Sequence, residues 1–270
     1  MRFDPRNILV IDFGQLGDVV LSLPALRAIR EKFPQARITI AVGKPGAPIV
    51  DLSGYADATI VVDRVALRDG SKVLAIFRIG KIVKQVRREQ FDFVIDLHSL
   101  SETNLLGFLS GAPHRLYARR AGRSLDVLAN FHPKPPIEDN RPTKHAIDRY
   151  LDVLIPLGIK DAPRVPRLPT RADDDQSVEQ MLKKEKANTN APLVGLFPGA
   201  GHPGRRWPLA RFSEVAERLV RNDGVRIILF AGPEERAMVK EMRAIFPRST
   251  IIFDKLTIPQ LGSALARLSV

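Results

Sequence analysis

The residues that could do chemistry gather where apolar runs end. The first group is Phe13-Gly14-Gln15-Leu16-Gly17-Asp18, directly after the run 7–12 (NILVID) and before a long helical stretch. Gly14 and Gly17 permit a tight turn and close approach of a ligand to the backbone. The spacing is G-x-x-G, which is neither the dinucleotide fingerprint G-x-G-x-x-G nor the phosphate-cradling G-x-x-x-x-G-K-[ST]. Asp18 falls at or just before a helix start. It reads as an N-cap that accepts orphan amide protons, or as a general base that takes a proton from a bound hydroxyl. Spacing alone leaves both open.

The second group is 198–208, Pro-Gly-Ala-Gly-His-Pro-Gly-Arg-Arg-Trp-Pro, again between an apolar run and a helical stretch. Gly199, Ala200, Gly201 and Gly204 free backbone amides to face an anion, and Arg205 and Arg206 add positive charge. Such a loop can hold a departing diphosphate, or it is a surface loop with solvated arginines. Trp207, the single tryptophan, reads as a plug beneath the following helix. The third group is 231–235, Ala-Gly-Pro-Glu-Glu. Glu234 or Glu235 could bond ribose hydroxyls, or both simply complement a helix dipole.

The five histidines, His98, His114, His132, His145 and His202, show no metal-ligand spacing. His98 follows an apolar run and either faces a crevice or is structural. There is no G-x-S-x-G elbow. With no cysteine in 270 residues, a disulfide framework, a thiolate metal site and a cysteine nucleophile are excluded. A metal-dependent or serine-nucleophile mechanism therefore lacks support, and no cofactor is expected.

These groups need a scaffold. Apolar β-branched runs at 7–12, 37–42, 58–62 and 92–97 alternate with helical stretches near 18–33, 71–89, 101–110 and 144–158. Near-continuous apolar strands separated by helices predict a doubly wound parallel α/β sheet. A Pro-rich stretch with three consecutive Asp, 161–175, reads as a linker. It separates an N-terminal domain, 1–160, from a second domain, 176–270. The second domain repeats the pattern with strands at 192–197, 225–231 and 250–253. Its helices fall near 175–187, 208–221, 234–245 and 257–268. Three strands are half the usual complement of such a fold, so the second domain is expected to be incomplete.

The composition, 44% hydrophobic and 27% charged, is that of a globular chain. No run approaches the length of a membrane span, and no signal-peptide pattern opens the chain, so a cytoplasmic location is expected. Net charge is +12, spread along the sequence. It suits polyanions of any kind, including an anionic membrane surface. The densest basic stretch is 114–123 (HRLYARRAGR), read as a solvated face or an anion site. No nucleic-acid motif accompanies the charge, so no nucleic-acid partner is expected.

Residues 8–42 (ILVIDFGQLGDVVLSLPALRAIREKFPQARITIAV) and 192–219 (PLVGLFPGAGHPGRRWPLARFSEVAERL, continuing to ILFAGPEE) together resemble the lipopolysaccharide heptosyltransferases of glycosyltransferase family 9. The segment 91–120 is a weaker match. The resemblance implies a GT-B architecture of two Rossmann-like domains. It implies inverting transfer of heptose from ADP-heptose to an acidic, lipid-linked inner-core sugar, with peripheral contact at the inner membrane face. On this likeness Asp18 is the base. Gly17, Gly199, Ala200, Gly201, Arg205, Arg206 and Glu234 or Glu235 bind the nucleotide sugar. His98, Arg119 and Arg120 meet the acceptor.

The likeness has departures. Arg205 stands where Lys is common, and Asp12 where a basic residue is frequent. The family's later D-[ST]-G-x-x-H-type motif does not occur before Val270. The resemblance therefore implies a chain shortened at its C-terminus. A transferase for another nucleotide sugar, or a homologue that only binds, remains an alternative.

Overall fold

The computed structural model describes residues 3–68, 71–138, 144–185 and 191–270. The chain divides into two units, Met1–Pro169 and Thr170–Val270. In the first, β1 (Asn7–Asp12), β2 (Arg37–Gly43), β3 (Ala58–Val62), β4 (Phe93–Asp96) and β5 (His114–Tyr117) form one parallel sheet in the order β3-β2-β1-β4-β5. The apolar runs pair in register: Ile8 lies opposite Ile38 and Phe93, and Val10 opposite Ile40 and Ile95.

Helices cover both faces, which is why the central strands carry near-continuous apolar runs. They are α1 (Leu16–Lys32), α2 (Ala47–Ser53), α3 (Arg64–Arg68), α4 (Lys72–Arg88), α5 (Ser101–Leu109) and α6 (Ala146–Asp152). Leu9, Ile11 and Val94 face Ile82, Val83 and Val86 of α4. The helix α1 buries Val19, Leu23, Leu26 and Ile29, and packs on α2 and α6. Strand order reverses direction between β1 and β4. Their carboxyl ends therefore flank the position where open α/β sheets hold ligands.

In the second unit β6 (Leu193–Leu196), β7 (Arg226–Phe230) and β8 (Ile251–Phe253) form a parallel three-stranded sheet in sequence order. The helices are α7 (Ala172–Lys184), α8 (Leu209–Asp223), α9 (Val239–Ile245) and α10 (Ile258–Leu265). Alternation along β7 sends Ile228 and Phe230 towards α7 and α10, and Ile227 and Leu229 towards α8 and α9.

Several expectations are corrected. The basic stretch at 114 begins as β5, because Leu116 and Tyr117 are buried beside β4. The helix expected over 144–158 stops at Asp152 and resumes as a single 3-10 turn, Ile155–Leu157, because Pro156 cannot donate to a continuing helix. The Asp173–Asp175 run, expected in the linker, forms the first turn of α7, where carboxylates meet the positive end of the helix dipole. The 186–187 end of that expected helix lies outside the described residues. The start of the helix expected over 234–245 is a 3-10 turn, Pro233–Met238.

Asp96 ends β4 fully buried and organises the turn after it. One oxygen accepts the Ser99 amide at 2.7 Å and the His98 amide at 3.1 Å. The other accepts the Asn104 side-chain amide at 2.8 Å. These bonds hold Ser99 at φ 44°, a left-handed conformation uncommon for a residue with a side chain. Asn104 passes the anchoring on. Its side-chain oxygen accepts the Leu125 amide, and its carbonyl accepts the Tyr117 hydroxyl. Burial outweighs these donors and pushes the Asp96 carboxyl up to about 7.

Two glycines separate helix propensity from packing. At Gly107 in α5 a Cβ would lie 2.6 Å from the buried Tyr117 hydroxyl, whereas at Gly80 in α4 it would meet nothing. Gly80→Ala should raise unfolding stability by up to ~1 kcal/mol. Gly107→Ala should lower it by about 1–3 kcal/mol, because the clash outweighs the propensity gain. Urea unfolding of both variants checks this. For Asp96 the folded state holds the proton more tightly than the unfolded chain, whose value is near 3.8. The associated stability is complete below that value and is lost as pH rises through about 7. The urea midpoint of the native chain should therefore fall over that window relative to Asp96→Asn. Parallel pH profiles would contradict it.

Candidate active site

The turn from β1 to α1 is built by two carboxylates. Asp12, last in β1, is buried, and its Oδ1 accepts the Gly14 amide at 3.0 Å. Asp18 is the third residue of α1, not its N-cap. Its Oδ2 accepts the Gln15 amide at 2.9 Å and so closes the first turn. Asp18 is half-buried, and its Oδ1 makes no hydrogen bond to a described residue. Gly14 is required here, since a Cβ would lie 2.4 Å from the Asp18 Cβ and 3.0 Å from Asp12 Oδ1. Gly17, expected to serve the turn, sits exposed in the first turn of α1, where a Cβ would meet nothing.

Burial pushes the Asp12 carboxyl above its ordinary range. Its Oδ2 is buried without a hydrogen bond to a described residue. His98, just beyond β4, brings its Nδ1 to 3.9 Å from Asp12 Oδ1. That atom is likewise buried with no hydrogen bond to a described residue. Burial, then the charges of Arg120 and Arg64, hold His98 down to about 4, so the imidazole is neutral near pH 7. Tyr150 of α6 is buried close by. Its hydroxyl is pushed up by that burial and by the charges of Asp12 and Asp18.

The two arginines expected to meet an acceptor, Arg119 and Arg120, carry partners. Arg119 pairs with Asp126 at 3.1 Å, and Arg120 with Glu138 at 2.7 Å. Glu138 also meets Arg149 at 3.2 Å. Arg120 therefore presents a partly balanced charge rather than a bare one. It belongs with Asp12 and His98, whose protonation its charge influences.

In the second unit the loops after β6 and β7 are neighbours, because those strands pair. Glu235 joins them. Its Oε2 accepts the Gly232 amide at 3.1 Å, and its side chain packs so closely on Gly199 that a Cβ there would lie 2.4 Å from it. Glu235 is thus the carboxylate tied to the Gly199 loop, while Glu234 is exposed. Arg206 is tied inward, donating to the Ala200 carbonyl at 3.2 Å and lying 3.8 Å from Glu235. Arg205 is exposed, as is Gly201, on the same loop.

The expectation that every loop glycine frees an amide is corrected at Gly204, whose amide donates to His202 Nδ1 at 3.1 Å. Trp207 is no plug. It is 49% exposed and rests edge-on against Phe212 at 5.0 Å.

Sequence reasoning missed Arg64, which donates to the Phe13 carbonyl and lies 3.7 Å from Glu102. It also missed Asp96, Glu138 and Tyr150. The signal for Asp96 was present, since NILVID and DFVIDL each set an Asp near the end of an apolar strand. Arg64, Glu138 and Tyr150 reach the site by folding from distant segments, and no local pattern marks them.

The family model for glycosyltransferase family 9 (heptosyltransferase) matches residues 79–270. Lipopolysaccharide heptosyltransferase 2 of Escherichia coli K12 is 24% identical over 246 residues, covering 88% of this chain. The chain spans 67% of that relative's length. Among solved structures, the glycosyl transferase family 9 protein of Veillonella parvula DSM 2008 superposes with a TM-score of 0.82 at 25% identity. That match covers 99% of this chain and 75% of the other. The E. coli heptosyltransferase WaaC with ADP-2-deoxy-2-fluoro heptose gives 0.70 at 18% identity, over 97% and 80% of the two chains. The expected GT-B fold, with two Rossmann-like units, is the one these likenesses show. The chain belongs to glycosyltransferase family 9, the heptosyltransferases.

Proposed function

We propose that this transferase moves heptose from ADP-heptose to a sugar of the lipopolysaccharide inner core, with inversion at the anomeric carbon. The observation that carries the reading is the Asp18 carboxylate. It sits at the start of α1, beside the β1/β4 switch point, with Oδ2 anchored and Oδ1 open. A fixed carboxylate with one oxygen in reserve is suited to accept a hydroxyl proton. The acceptor oxygen forms its bond to the anomeric carbon as the bond to the diphosphate oxygen breaks. Asp18 Oδ1 takes the proton, and the electron pair leaves with ADP.

The remaining groups have roles by position. Arg205 and the amides of Gly199, Ala200 and Gly201 offer positive potential to the charge that grows on the diphosphate. Arg206 and Glu235 hold that loop in shape. Glu235 is also placed to meet ribose hydroxyls, with Glu234 further out. Neutral His98 can exchange hydrogen bonds with acceptor hydroxyls. Arg119 and Arg120 draw an acidic acceptor, and Gly17 leaves the approach to Asp18 unobstructed. Curated relatives named as lipopolysaccharide heptosyltransferases, and a solved relative holding an ADP-heptose analogue, support donor and acceptor class. A cytoplasmic location, in peripheral contact with the inner membrane face, goes with a lipid-linked acceptor.

Asp18→Asn keeps the shape at the turn and removes the base. Transfer from ADP-heptose should fall by about 10²–10⁴-fold in kcat. ADP binding, followed by calorimetry, should be unchanged. Near-normal turnover would remove Asp18 from the chemistry. Gly199→Ala forces Glu235 off its seat and should weaken ADP binding on the order of tenfold or more, without altering global stability to a comparable degree. ADP should compete with the donor and UDP should not. Equal competition would point to a different nucleotide sugar.

A further inference from the structure

The outer face of α4 has no part in the transfer chemistry. Over Lys72–Arg88 the helix carries six basic residues (Lys72, Arg78, Lys81, Lys84, Arg87 and Arg88) and no acidic one. Ile82, Val83 and Val86 turn inward to the sheet. At 3.6 residues per turn the opposite side gathers Leu74, Phe77, Lys81, Lys84 and Arg88, with Arg87 on its flank. Phe77 is 61% exposed and Leu74 53%, and Ile76 at the edge of the inward stripe is also exposed. Val65 of α3, which packs on α4, is exposed too. Apolar and cationic groups are interleaved, since the Lys81 ammonium lies 4.9 Å over the Phe77 ring.

Water is a poor solvent for Ile, Phe and Leu gathered on one exposed turn, so such a patch marks a contact. The charge selects the partner. A two-fold contact of α4 with a second copy would set its cations against identical cations. A surface of anionic phosphates beside acyl chains satisfies both halves of the face. No helix of the described residues is long and apolar enough to cross a membrane.

We propose that α4 lies flat on a bilayer containing anionic phospholipid. Leu74 and Phe77 enter the boundary between headgroups and acyl chains, and Lys81, Lys84, Arg87 and Arg88 sit against lipid phosphates. This names the surface for peripheral contact, and it rests on the geometry of α4 rather than on the transfer chemistry.

Flotation with phosphatidylcholine vesicles, with and without phosphatidylglycerol, tests it on the whole chain. The protein should bind only the anionic vesicles, and added salt should release it. Lys84→Gln/Arg87→Gln/Arg88→Gln should weaken partitioning on the order of 100-fold. Leu74→Ser/Phe77→Ser should weaken it on the order of tenfold or more. All of these side chains are surface groups, and circular dichroism confirms that both variants fold. ADP binding should be unaffected in each, which separates this surface from the donor site. Failure to bind anionic vesicles, or binding by both variants equal to that of the native chain, overturns the proposal. So does a dimer in sedimentation that Leu74→Ser/Phe77→Ser dissolves while vesicle binding persists, which assigns the face to a second copy.

Discussion

Two hydrogen bonds across the β1–α1 joint set the geometry of the turn. Asp12 holds the Gly14 amide and Asp18 holds the Gln15 amide, so consecutive amides of one turn are each claimed by a carboxylate. The arrangement works because Gly14 has no side chain, letting the two acids approach the same short stretch of backbone. It has an electrostatic cost. Asp12 is buried, and the charge of Asp18 adds to that burial in raising its proton affinity. Its neighbours are a neutral imidazole, a buried phenol and guanidiniums already matched by Glu138 and Glu102. The result is a polar strand end whose charges are few and fixed, which suits a step in which one proton moves to one oxygen.

The second unit solves a similar problem with different residues. There one carboxylate, Glu235, grips a backbone amide on its own turn and presses on the glycine of the neighbouring loop. Arg206 closes the triangle by reaching the Ala200 carbonyl. Both units thus use a carboxylate to order a glycine-containing loop at the carboxyl end of a parallel strand. In both, the side chains offered to a ligand are those left over once the loop is tied. Asp18 Oδ1 is what remains in the first, and Arg205 in the second.

Much of this was legible in the sequence for a plain reason: parallel strands covered on both faces must be apolar throughout, so NILVID, RITIAV and DFVIDL announce themselves. The short β5 did not, because the Arg and His of HRLY obscure a strand that needs only Leu116 and Tyr117 for burial. Pro156 and Pro233 stood in view. Their effect, short 3-10 segments beside shortened helices, depends on local hydrogen bonding that periodicity does not report. Asp18 was singled out, but its place as third residue of the helix was not, since the capping partner proved to be Gln15. Between Glu234 and Glu235 only packing against Gly199 decides. Arg64 and Glu138 were invisible for the same kind of reason, because their relevance comes from three-dimensional neighbours. The exposed face of α4 escaped notice because amphipathic spacing shows which side is apolar but not how much of it the sheet covers.

The central claim is that the open oxygen of Asp18 meets the attacking hydroxyl. It is tested most directly by a crystal structure of the protein with an inert ADP-heptose analogue and an inner-core acceptor. The account requires Asp18 Oδ1 to lie about 2.6–3.2 Å from an acceptor hydroxyl that faces the anomeric carbon, with the Gln15 amide still on Oδ2. An acceptor hydroxyl held instead by another group, with Asp18 engaged only with backbone amides, would contradict it.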